Sequence, residues 1–168
     1  MKTSKLTLQT LIATACMSMG SLAWSAGTHA HSHGHNQDGG AAPASVIGQP
    51  GDVRNVTRTV AVDMADNMRF TPATIDVKAN ETVQFVVTNS GKVKHEMVLG
   101  TPQELAEHYK QMLKFPGMVH EDPQTASVEP GQSGSIVWTF TNAGVVDFAC
   151  LQPGHFDAGM KGYVTVAR

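Results

Sequence analysis

Cysteine is nearly missing from this chain. Among 168 residues there are two, Cys16 and Cys150. Cys16 falls in an N-terminal stretch that reads as a removable leader, which leaves Cys150 without a disulfide partner. A disulfide-stapled scaffold is thereby excluded, and a lone thiol in an oxidising compartment needs another use. Long hydrophobic runs are also missing. The one apolar stretch of note, from Leu6 to about Met19, is too short to span a bilayer. Basic residues are few: 12 Lys and Arg stand against 14 Asp and Glu, and without Lys2 and Lys5 the formal charge is −4. No basic patch offers itself to nucleic acid. No internal repeat is visible, which excludes solenoids and propeller-like arrays.

Lys2 and Lys5 precede the apolar stretch, and Gly20, Ser21, Ala23, Ser25 and Ala26 follow it. That is the layout of a secretory signal peptide, expected over 1–23, with Ser21-Leu22-Ala23 as the cleavage site and Ala26 as the alternative. A lipoprotein box ending at Cys16 is the weaker reading, because Ala13 is a poor residue at its first position. The mature chain is expected to be exported, to a bacterial periplasm, with no membrane span and as a monomer. Residues 24–52 are rich in Gly, Ala, Pro, His and Asn and carry too few large apolar side chains to order themselves. They are expected to form a disordered His-rich tail. Residues 53–168 are expected to form one domain, at roughly 115 residues large enough for a sandwich core.

Short strand-like runs fill that domain. Thr59 to Met64 and Thr74 to Lys78 alternate, and Thr82 to Thr88 is the strongest strand signal. Lys94 to Leu99, Ser135 to Phe140, Val145 to Ala149 and Gly162 to Ala167 follow. Turn-forming Asn-Ser-Gly, Glu-Pro-Gly and Asn-Ala-Gly clusters separate them, which predicts an all-β sandwich or barrel. One segment differs. Thr101-Pro-Gln-Glu opens like a capped helix. Leu105, Tyr109, Met112 and Leu113 recur at helical spacing before Pro116-Gly117, so a short inserted helix is expected around 102–114. His108, beside Glu104 and Glu107, reads as a solvated surface residue.

The chemistry concentrates near the C-terminus. Cys150, His155 and Met160 are each separated by four residues in one glycine-containing loop. With His95 they make a thiolate, two imidazoles and a thioether, the ligand set of a trigonal copper site with a weak axial Met. Such a site holds copper in a compromise between the shapes that Cu(II) and Cu(I) prefer, so the ion changes oxidation state with little rearrangement. Pro153-Gly154 would turn the chain so that the imidazole faces the thiolate. Gly159 and Gly162 would relieve crowding where the loop returns to the last strand. His95 must come from a different strand, which would lock the loop to the barrel.

Cys-x4-His-x4-Met within "PGHFDAGMKG", an upstream histidine and the strand pattern together resemble the cupredoxins, relatives of azurin, plastocyanin and rusticyanin, over roughly Val60 to Arg168. The resemblance implies a Greek-key β-sandwich and a type 1 copper site at His95, Cys150, His155 and Met160. Many such relatives carry Asn immediately after the first histidine, where it bonds across to the cysteine loop. Here that position is Glu96, so colour and potential are open.

The chain also has ligands that a simple electron carrier does not need. His29, His31, His33 and His35 alternate in the tail and suit Cu(II) or other borderline divalent ions. Met64 and Met68 flank the polar turn Ala65-Asp66-Asn67, and Met118 and His120 form Met-x-His in a loop. Thioethers favour Cu(I). Met64, Met68, Met118 and His120 are therefore expected to form accessory copper sites at the rim, with core filling as the alternative for the three methionines. Met112 reads as core, and Met97 shares a strand face with His95. The overall pattern resembles the periplasmic copper-tolerance cupredoxins, which implies copper handling beside a copper-exporting ATPase. The alternative is one-electron transfer between redox partners, docking through Phe156, Ala158 and Met97 around His155. No enzymatic role is expected beyond a weak cuprous oxidase activity at an accessory site.

Overall fold

The structure, a computed structural model, describes residues 45–118 and 121–168. Ten strands and one α-helix follow in chain order, with a 3-10 turn at Val53–Asn55: β1 Gln49–Pro50, β2 Arg58–Ala65, β3 Arg69–Thr71, β4 Thr74–Lys78, β5 Thr82–Asn89, β6 His95–Gly100, α1 Pro102–Lys114, β7 Thr125–Val128, β8 Ser133–Thr139, β9 Gly144–Ala149 and β10 Lys161–Ala167. They form two five-stranded sheets, ordered β1-β8-β5-β2-β3 and β4-β10-β9-β6-β7. Pairing is antiparallel except for β2 with β5 and β4 with β10. The expected β-sandwich is what the chain forms.

Alternation explains why these strands face one another. In β4 and β10 every second residue is buried, and in β5 the buried positions Val83, Phe85 and Val87 alternate with more exposed ones. Those inward residues join Val62, Met64, Ile136 and Trp138 from one sheet to Ile75, Val77, Met97, Leu99, Phe148 and Val164 from the other in one core. Burying each large side chain contributes about 1.5–3 kcal/mol. Phe70 and Phe148 meet across the sheets edge to face, with centroids 5.0 Å apart.

All seven stretches with strand patterning are strands. The three further strands β1, β3 and β7 span 2, 3 and 4 residues, too short for alternation to register. Residues 45–52, expected at the end of the disordered tail, are ordered against the sandwich. Ile47 is buried, its carbonyl accepts the Trp138 indole N–H at 2.7 Å, and Gly51 N–H donates to the Val137 carbonyl at 2.9 Å. One apolar side chain and edge pairing to β8 suffice, and neither leaves a hydrophobic pattern. Residues 1–44, with the expected leader and His29, His31, His33 and His35, lie outside the described residues, as does His120. Among the described residues no helix is long and apolar enough to cross a membrane.

Helix α1 starts where the capping box predicts. Thr101 Oγ1 accepts the Glu104 N–H at 3.2 Å, and the Glu104 carboxylate accepts the Thr101 N–H at 2.8 Å. Leu105, Tyr109 and Met112 are buried and pack with Val98, Ala149 and Leu151 in a second cluster, on the outer face of β6 and β9. Leu113, expected on the same stripe, is exposed. His108 is half-buried rather than fully solvated.

Candidate metal centre

Three elements converge on the centre. β6 begins with His95, which is completely buried. β9 ends at Ala149 and delivers Cys150, also completely buried and the free cysteine of the described residues. The loop from Leu151 to Met160 then folds back to β10 through its own backbone. His155 N–H donates to Gln152 O, Met160 N–H to His155 O, and Cys150 N–H to Met160 O, each at 3.0 Å. These bonds tie the fourth expected ligand, the fully buried Met160, directly to Cys150 through the chain.

Ligand atoms of His95, Cys150 and His155 all lie within 4.8 Å of one another. Cys150 Sγ is 3.3 Å from His155 Nδ1, and the two imidazole centroids are 4.8 Å apart. His95 Nδ1 is buried with no hydrogen-bond partner among the described residues. A buried unpaired polar atom costs about 1–3 kcal/mol, and a folded protein accepts that where another ligand takes the place. An unpartnered imidazole nitrogen beside a thiol and a second imidazole has the donor chemistry of a copper site. The residues present fit the ion.

The electrostatics agree. Burial pushes the Cys150 thiol up to about 12, against a smaller lowering by the Glu96 backbone N–H. Without a metal the thiol is held protonated at neutral pH, while a bound metal needs the thiolate. Burial, then the neighbouring His95, lowers the His155 pKa, which keeps that ring neutral and available. Copper uptake at pH 7 is accordingly expected to release about one proton per centre. Calorimetry in buffers of differing ionisation enthalpy measures this. Uptake without proton release would remove Cys150 from the ligand set.

Glu96 takes the bridging place that the resemblance gives to Asn. It is buried, and its backbone N–H donates to Cys150 Sγ at 3.5 Å. Its carboxylate accepts the Leu151 N–H at 3.0 Å, the Ser127 hydroxyl at 3.1 Å and the Gln152 amide at 3.3 Å. Every partner donates, so both carboxylate oxygens accept. The cysteine loop is thus strapped to β6 and β7 by a carboxylate.

Two further contacts were not signalled in the sequence. The Tyr109 hydroxyl of α1 donates to Asp157 at 2.7 Å and accepts the Gly154 N–H at 3.1 Å, while its ring stacks on Phe156 at 4.8 Å. Arg69 Nη1 donates to the carbonyls of Met68 at 2.7 Å and Ala158 at 3.0 Å. Both partners are remote in sequence from the loop, and no local motif joins them.

The methionines expected at the rim separate. Met64 is fully buried in the main core, which is the core-filling alternative and not a rim position. Met68 is half-buried against that core, and Met118 is exposed. Met97, expected in the docking face, is fully buried. Phe156 and His155 are half-buried and Ala158 is exposed.

Comparison with known proteins agrees with this geometry. The family described as copper binding proteins of the plastocyanin/azurin type matches residues 56–167. The copper-resistant cuproprotein CopI of Rubrivivax gelatinosus is 50% identical, over 82% of this chain and 80% of its own length. The CopI of Pseudomonas aeruginosa is 38% identical over 75% of this chain and 86% of its own. Among solved structures, reduced auracyanin from Roseiflexus castenholzii shares the fold with a TM-score of 0.60 at 22% identity, covering 67% of this chain and 99% of that one. The chain belongs to the plastocyanin/azurin family of copper-binding proteins, a cupredoxin related to the CopI cuproproteins.

Proposed function

We propose that this cupredoxin is a periplasmic copper-handling protein that contributes to copper tolerance, acting by binding copper rather than as an enzyme. The observation that carries the reading is the cluster of buried His95 and Cys150 with half-buried His155 in a chain half identical to a copper-resistant cuproprotein. Copper in such a trio supplies a one-electron couple. His95, Cys150, His155 and Met160 hold the ion, and the core around them excludes water. Accessory ligands give copper a first landing place: Met68, whose carbonyl shares one guanidinium nitrogen with the copper loop, the exposed Met118, His120 and the histidines of the tail. A copper-exporting ATPase would be the source of the ion.

One observation favours the second reading, electron transfer between redox partners. His155 is partly exposed while His95 is sealed, so His155 is the ligand through which an electron would enter or leave.

Copper equivalents per chain distinguish the two. The mature protein is loaded, desalted and assayed for copper, with a visible spectrum on the same sample. Two or more equivalents are expected, with one contributing to the thiolate band, and deleting residues 24–45 is expected to leave that band intact and reduce copper uptake. A single equivalent in the intact protein would instead support the carrier.

A further inference from the structure

Asp66 sits in the turn between β2 and β3, 29 positions before His95, and nothing in the ligand motif refers to it. Its Oδ1 lies 3.1 Å from His95 Nε2. Because His95 Nδ1 has no partner among the described residues and a carboxylate can only accept, Nε2 carries the proton and donates it to Asp66. The carboxylate is itself held: its Oδ2 accepts the Lys92 N–H at 2.8 Å, and Oδ1 accepts the Val93 N–H at 3.5 Å. Those bonds, Lys92 first, keep the Asp66 carboxyl below its usual range. The fold also leaves room for it. A Cβ on Gly91 would stand 2.1 Å from Asp66 Oδ1 and 2.8 Å from its Cγ, so only glycine at 91 lets the carboxylate reach the ring.

We propose that Asp66 is a positioning residue of the copper centre, fixing the tautomer and orientation of His95 and biasing the bound ion towards Cu(II). A metal-bound histidine whose other nitrogen donates to a carboxylate is a more basic ligand, and a more basic ligand stabilises the more highly charged ion. Among the described residues His155 has no carboxylate partner, so the two imidazoles differ in donor strength. The side chain of Asp66 is 40% exposed, and solvent moderates its effect.

The test replaces Asp66 with Asn, which can keep an oxygen towards His95 but loses the charge. The preference for Cu(II) over Cu(I) is expected to fall roughly tenfold, the lower end of what such partners contribute. In a one-electron couple that raises the midpoint potential by about 59 mV. Gly91→Ala, which displaces the carboxylate without deleting a polar group, should shift the potential in the same direction. Nitrogen NMR of the Cu(I) protein reads the His95 Nε2 proton directly. In D66A that proton should exchange faster with solvent. Melting of the copper-free variants registers any loosening of the 91–93 turn separately. A lowered melting temperature with an unchanged potential in D66N would make Asp66 structural only and overturn the proposal. If G91A fails to fold, D66N and D66A decide it.

Discussion

Replacing Cys150 with alanine is expected to erase the intense visible band of the copper-loaded protein. That band arises from charge transfer between thiolate and Cu(II), and Cys150 Sγ is the sulfur placed 3.3 Å from His155 Nδ1. Copper affinity at the centre should fall by more than the ~10–100-fold that loss of an outer partner causes, because a first ligand is gone. The fold should survive. Alanine is smaller than cysteine, the contact it removes from the buried Glu96 N–H is long at 3.5 Å, and the Cys150 N–H bond to Met160 O belongs to the backbone. Absorption and copper content of wild type and C150A, prepared alike, make the comparison. A retained band would mean that the thiolate of this site is not the ligand.

Gly162→Ala is expected to damage the fold itself. Gly162 pairs with Phe148 across β10 and β9, and a Cβ there would stand 2.3 Å from Phe148 Cζ and 2.5 Å from the Ala73 carbonyl oxygen. A backbone oxygen cannot step aside as a flexible side chain can. Phe148 is packed against Phe70 and lies two residues before Cys150, so its displacement also reaches the ligand loop. Such overpacking typically costs about 1–3 kcal/mol, and we expect the upper end. A chain of this size should then melt roughly 10 °C lower. Thermal unfolding of the copper-free protein measures it, and an unchanged melting temperature would show that the ring has space to move.

How much of this was legible beforehand depends on the range over which residues act. Leu105, Tyr109 and Met112 repeat within one helix, and Val83, Phe85 and Val87 alternate within one strand, so a local pattern announced each element. Cys150, His155 and Met160 share one loop, and their spacing carried the ligand set. Contacts that depend on which strands become neighbours were not legible. Asp66 reaches His95 because β2 lies beside β5, whose end leads into β6. Tyr109 reaches Gly154 because α1 folds back over β9. Arg69 finds Ala158 from the opposite sheet. Met64 was misplaced for the same reason: the polar turn that follows it suggested a rim, while its own position in β2 points inward. Glu96 was visible as a departure from the pattern of the resemblance, but its three acceptor bonds required the fold.

The ligand loop is anchored from three directions by groups that are not metal ligands: Glu96 from β6, Tyr109 from α1 and Arg69 from β3. Each anchor is complete within the polypeptide. An ion that enters this site therefore has little disorder to remove, and its binding energy is not consumed in folding a segment.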